Sequence, residues 1–196
     1  MKKVLFAAFL LVSSNAIFAQ VSQGNILAGG SADFSHSSQG DYKLTNISIA
    51  PDLGYFFIDQ LAGGLRLEFG YMKSKNKAVT PATTGSETQF TVAPFLRYYF
   101  MPSGQPLNIF ADASYGFGSD KVKGGKSESL NYYQIKAGPA FFLTPNTALE
   151  FAAYYRSRGG DYFENGAGDR INTIGLSIGF QVHLGNGGGG KSEKKK

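Results

Sequence analysis

The chain carries two histidines, His36 and His183, and no cysteine. Serine-based acyl transfer or hydrolysis needs an imidazole, a hydroxyl and a carboxylate held together. Ser35 and Asp33 are close to His36 in sequence, but neighbours along a strand point to opposite faces. His183 falls in another strand, at its opposite end. Without cysteine there is no thiolate nucleophile, disulfide framework or thiolate metal site. No residue is therefore assigned as catalytic, metal-binding or cofactor-binding. The remaining chemistry is charge at alternating positions: Asp33, Asp52, Arg66, Glu68, Arg97, Asp112, Lys136, Glu150 and Arg156. Each lies on the side of its strand opposite a row of large apolar residues. Charges of both signs facing one narrow interior are expected to pair, because an unpaired buried charge is costly.

The elements that position them are strands. In INTIGLSIGFQVHL (Ile171–Leu184), Ile174, Leu176, Ile178, Phe180, Val182 and Leu184 share one face. Thr173, Gly175, Ser177, Gly179, Gln181 and His183 share the other. The period is two, and the polar face is small rather than charged. A strand with lipid outside and a tight lumen inside has that distribution, and about 9–11 tilted residues cross a bilayer. Seven further stretches read as strands, most of them alternating in the same way and the first, rich in Gly and Ala, the weakest: Asn25–Ser35, Asn46–Phe57, Leu61–Met72, Gln89–Met101, Leu107–Gly118, Tyr132–Leu143 and Thr147–Ser157. The connections alternate too. Tight links follow the second, fourth and sixth strands; long polar links are expected at His36–Thr45, Lys73–Thr88, Ser119–Asn131 and Arg158–Arg170. Outward aromatics gather in two bands. Phe69, Tyr71, Tyr115, Phe117, Tyr133 and Tyr155 lie toward the long links, and Tyr55, Phe57, Tyr98, Phe100 and Phe141 toward the short ones, as at two membrane interfaces. Pro51, Pro94 and Pro139 recur on the outward face of the second, fourth and sixth strands. A proline removes a ladder donor, so a bulge or a locally lost hydrogen bond is expected at each. A sandwich with these as edge strands is the alternative.

The chain starts like an address. Lys2 and Lys3 precede the apolar run Val4–Val12, and Ala16-Ile17-Phe18-Ala19 ends it. This reads as a signal peptide over residues 1–19, cleaved after Ala19. The run is too short to span a membrane as a helix. The body, residues 20–185, reads as one domain, and residues 186–196 as a flexible Gly/Lys tail with Gly187–Gly190 as linker. The formal charge of +5 belongs to the two ends. The leader holds two lysines and the tail a net three, so the body is neutral, which gives nucleic-acid binding no support. A monomer is expected.

The stretches APDLGYFFIDQLAGGLRLEFGY (Ala50–Tyr71), APFLRYYF (Ala93–Phe100), FFLTPNTALEFAAYY (Phe141–Tyr155) and IGLSIGFQVHL (Ile174–Leu184) resemble the small outer-membrane β-barrel family. That family includes the OmpA transmembrane domain, OmpX and the porin-like outer membrane β-barrel domains. The resemblance implies an all-β, eight-stranded antiparallel up-and-down transmembrane barrel with short periplasmic turns and longer extracellular loops. It places the protein in the bacterial outer membrane. It also implies a signal for the barrel-assembly machinery in the last strand, carried by Ser177, Gly179, Val182 and Leu184. An eight-stranded barrel is filled by its own side chains. The expectation is a closed, charge-paired lumen and a structural, adhesive or envelope-stabilising role, with no enzyme activity. The alternatives are a narrow pore for small solutes and a lipid-modifying enzyme. Two lysine clusters, Lys73, Lys75 and Lys77 and then Lys121, Lys123 and Lys126, are expected on loops, either simply solvated or touching lipopolysaccharide phosphates.

Overall fold

Alternation of large apolar and small or polar residues folds the chain into eight strands, described by a computed structural model over residues 21–39, 42–76, 83–160 and 170–185. They are β1 (Ile26–Gln39), β2 (Tyr42–Ile58), β3 (Leu61–Asn76), β4 (Thr83–Tyr99), β5 (Leu107–Val122), β6 (Ser127–Thr144), β7 (Thr147–Gly159) and β8 (Ile171–Leu184). Each pairs antiparallel with its sequence neighbour, and β1 pairs with β8, closing the barrel. Closure removes the sheet edges that a sandwich would keep. The segments read as signal peptide and as Gly/Lys tail, and Lys77, lie outside the described residues.

The strands run further beyond the outer aromatic band than their hydrophobic pattern reaches. β3 continues to Asn76 and β4 starts at Thr83, so Lys73 and Lys75 stand on a strand, not a loop. β5 and β6 continue toward each other until only Lys123–Lys126 separate them, where a long link was expected. Lys121 is in β5, and Asp120 and Arg158 are strand residues as well. Above the bilayer the outward positions face water and lose their apolar signature, while the ladder hydrogen bonds continue.

The prolines interrupt the ladder without shifting it. Ile49 pairs with Phe69 and Asp52 with Arg66, and the positions between, including Pro51, are unpaired toward β3. The same gap falls at Pro94 between β4 and β5 and at Pro139 between β6 and β7. On its other side each proline position stays in register. A missing N–H therefore costs one local bond and no bulge.

The seam between β1 and β8 is the shortest ladder. It runs from Ile26–Leu184 to Asp33–Ser177, and above that level no pairing joins the two strands among the described residues. Ile174 and Leu176, on the parted stretch of β8, are the most exposed large apolar side chains, at 82% and 72%.

At the short-turn end the interior is apolar. Leu27, Phe56, Ala62, Phe110, Ala140 and Ala148 meet Val21 from the segment before β1. That segment is tied under the barrel. The Val21 N–H donates to Ser103 Oγ at 3.1 Å, and the Gln60 N–H donates to the Val21 carbonyl at 2.7 Å. Gln60 has φ of 69°, the left-handed conformation that the tight β2–β3 turn requires.

Candidate functional site

Strand parity sends every second side chain inward, and this stacks the interior in layers above the apolar floor. Asp33, Asp52, Arg66, Glu68, Arg97, Asp112, Lys136, Glu150 and Arg156 are all buried there.

The lower charged layer is built by β2, β3, β4, β5, β6 and β7. Arg66 donates through Nη1 to Asp112 Oδ1 at 3.1 Å, and through Nη2 to Asp112 Oδ2 at 2.8 Å and Asp52 Oδ2 at 3.2 Å. Arg97, fully buried, donates from Nε to Asp112 Oδ2 at 3.1 Å and from Nη1 to both Glu150 oxygens at 3.2 Å. Its Nη2 lies 3.6 Å from Asp52 Oδ2. The Tyr99 hydroxyl donates to Glu150 Oε1 at 3.0 Å. Lys136 is the register partner of Asp112 and adds the third cation to three carboxylates. The planar guanidinium presents a fixed fork of donors that meets one carboxylate two-pronged while bonding a second, a geometry that an ammonium's single nitrogen does not supply.

The upper layer centres on Arg156. It makes a two-pronged bond to Glu68, with Nη1 to Oε1 at 2.6 Å and Nη2 to Oε2 at 2.9 Å. Its Nε donates to Gln134 Oε1 at 2.7 Å, and Nη2 is 3.9 Å from Asp33 Oδ2. The Tyr132 hydroxyl donates to Glu68 Oε2 at 3.0 Å. Ser48 Oγ donates to Asp33 Oδ2 at 3.3 Å.

Aromatic faces complete both layers. Arg66 lies 4.9 Å from the Phe95 ring centre, Arg97 5.0 Å from that of Phe110, and Arg156 4.5 Å from that of Tyr132. Stacking on a ring offsets part of the lost hydration of a buried guanidinium. Glycines make room for two inward tyrosines. Gly116 is the register partner of Tyr132, and Gly175 that of Tyr154. A Cβ on Gly116 would lie 2.2 Å from Tyr132 Cε1, and one on Gly175 2.4 Å from the Tyr154 hydroxyl.

Reasoning from sequence assigned no role to Tyr99, Tyr132, Gln134, Gln181, Asp120 or Arg158, all buried inward. Parity counted from Arg97 in β4, Lys136 in β6 and Ser177 in β8 would have found the first four. His183 is caged by Phe56, Tyr99 and Phe142, with ring centres 5.6, 5.6 and 5.3 Å away, at the short-turn end. His36 is in β1 opposite Thr45, at the other end of the barrel. The two positions therefore lie at opposite ends of the barrel. In β8, Ser177 and Gly179 face inward, Gly179 against Glu150, while Leu184 is exposed outward.

Outside, Lys73, Lys75, Lys121, Lys123 and Lys126 are exposed. Arg170, placed by sequence at the end of a long loop, is tied to the outer wall. It donates to Ser157 Oγ at 3.1 Å and Asn131 Oδ1 at 2.8 Å, and stacks 5.0 Å above Tyr133. Every aromatic of the two bands is exposed on the outward face.

Among solved structures, this fold is similar to Neisserial surface protein A, with a TM-score of 0.53 at 20% identity over 82% of this chain and 97% of that one. The outer membrane protein OprG of Pseudomonas aeruginosa gives 0.48 at 12%, covering 86% and 97%. The N-terminal barrel of Pseudomonas aeruginosa OprF gives 0.39 at 17%, covering 82% and 98%. No curated protein sequence matches. The family described as "Outer membrane protein beta-barrel domain" matches residues 4–182. With that match spanning nearly the whole chain, and with a closed eight-stranded barrel belted by aromatics at both ends, the protein belongs to the outer membrane β-barrel domain family.

Proposed function

We propose that this outer-membrane barrel is closed and non-enzymatic, and that it serves a structural or adhesive role through its extracellular end. The observation that carries the reading is the lower charged layer. Arg66 and Arg97 cross the lumen from β3 and β4 and bond Asp52, Asp112 and Glu150 on three other strands. A permeating ion would have to break several buried ion pairs, each costly to separate. An apolar floor lies beneath it. Export by cleavage after Ala19, and assembly through the last-strand residues Ser177, Gly179, Val182 and Leu184, are part of the same proposal.

A narrow pore is the second reading. It draws on the buried polar atoms Asp52 Oδ1, Arg66 Nε and Gln181 Oε1, which lack a protein partner in the lower layer. Water at those atoms would make a thread through the layer.

Planar-bilayer recording of refolded protein separates the two, with folding checked by heat-modifiable gel mobility. The closed reading expects no reproducible current. Steady, ion-selective steps that change when Arg97 or Glu68 is substituted would establish the pore instead.

A further inference from the structure

The outer wall formed by β3, β4 and β5 combines two features. The first is charge. Register places the lysines in rows across β4. Lys73 pairs with Ser86, and the Lys123 N–H donates to the Ser86 carbonyl at 2.9 Å, so these two lysines flank β4 at one level. One step lower, Tyr71 pairs with Thr88 and Thr88 with Lys121. With strands ~4.8 Å apart and ~3.4 Å of rise per residue, Lys73 and Lys121 stand roughly 10 Å apart across the wall and 7 Å along it. Lys75 is one outward position above Lys73. Parity turns Glu68, Glu87, Asp112 and Asp120 inward, so no carboxylate among the described residues of these three strands shares the face.

The second is shape. Eight residues below the lysines along β4 and β5, roughly 27 Å of strand, a groove of about 690 Å³ opens on this side of the barrel and continues onto β6. Gly63, Pro94 and Ala113 present little bulk there, between the larger Leu65, Tyr115 and Tyr133. It lies where Pro94 breaks the ladder between β4 and β5.

Basic residues over an apolar slot, at the end of the barrel away from Val21 and Leu184, match one kind of lipid. Its head bears two separated phosphates and its acyl chains descend into the outer leaflet. We infer that the β3–β5 wall is a binding site for lipopolysaccharide, with Lys73, Lys121 and Lys123 bonding the lipid A phosphates and one acyl chain seated over Pro94 and Ala113. This rests on the reading of a barrel that works from its outer surface. A conducting barrel that still retained lipid A would refute that reading and leave this site standing.

The test uses the full chain refolded in micelles, incubated with diphosphoryl lipid A and examined by native mass spectrometry. Parallel samples receive phosphatidylglycerol, or lipid A with inorganic pyrophosphate as competitor. One lipid A per barrel is expected to be retained, in preference to phosphatidylglycerol and in the presence of pyrophosphate. Joint replacement Lys73→Gln, Lys121→Gln and Lys123→Gln is expected to lower retention on the order of ten-fold or more. The matching Lys→Arg replacements keep the charge and are expected to preserve it, which separates binding from folding. Ala113→Leu fills the groove with every lysine in place and is expected to lower retention about three-fold, since packing drives association in an apolar medium. Equal retention of phosphatidylglycerol, displacement by pyrophosphate, or unchanged retention in either the glutamine or the Ala113→Leu variant overturns the proposal.

Discussion

Arg97 decides whether the interior stays neutral layer by layer. It bonds Asp112 on β5 and Glu150 on β7 and stacks on Phe110. Arg97→Leu leaves Glu150 with the Tyr99 hydroxyl as its remaining direct partner in that layer, and leaves Asp112 and Asp52 with Arg66. Breaking a buried pair from one side leaves an uncompensated charge, so the variant should lose about 3 kcal/mol or more of stability. Urea unfolding in micelles, followed by gel mobility, measures this. An unchanged midpoint would mean that water already solvates Glu150. Arg97→Lys keeps the charge but loses the fork, and its loss should be smaller. A quieter residue is coupled to the upper layer. Gly116→Val drives a side chain into the Tyr132 ring, which both stacks on Arg156 and bonds Glu68. A cost of about 1–3 kcal/mol is expected from the overpacking. Adding Tyr132→Ala to Gly116→Val should recover part of it, and a neutral Gly116→Val would show that the ring has somewhere else to go.

The strands show how far a two-residue pattern can be trusted. Within the bilayer each position is either lipid-facing or lumen-facing, so alternation marked the eight strands well and β8 to its ends. Beyond the outer aromatic band both faces meet water. Lys73, Lys75, Lys121 and the stretch Thr83–Thr88 then read as loop, although their backbone continues the ladder. The reach of the β1–β8 seam was not legible at all, because register between the first and last strands leaves no local trace in either. It has a measurable consequence. Over Asn172–Gly175 one edge of β8 is bonded to β7, and the other has no ladder partner among the described residues. Alternate amides there should exchange with deuterium at least ten-fold faster than their neighbours, while from Ser177 to Leu184 both sets stay protected. Hydrogen exchange followed by NMR resolves the alternation. Uniform protection from Asn172 onward would mean that the seam is zipped to the top in the membrane.

For the barrel as a whole, two barriers lie in series along one axis. The apolar floor was hidden from sequence reasoning because its members, Leu27, Phe56, Phe110 and the Val21 tether, come from separate segments and meet only on closure. The charged layer above it was half legible. Its ions follow from parity, whereas its pairing partners depend on shear between strands far apart in sequence, as for Arg97 with Glu150 or Arg156 with Glu68. Barriers in series have a testable signature, because current flows only when both are breached. Phe56→Ala with Phe110→Ala empties the floor of two rings and leaves every carboxylate of the layer in place. The variant should lose several kcal/mol of stability from the cavity and still pass no steady current in a planar bilayer, because Arg66 and Arg97 continue to span the lumen above it. Steps appearing in that variant alone would show that the ion-pair layer leaks and that the rings hold the barrel shut. The closed state would then belong to a floor at the short-turn end, and a shift of the Val21–Asn25 segment beneath it would be the natural place to look for opening.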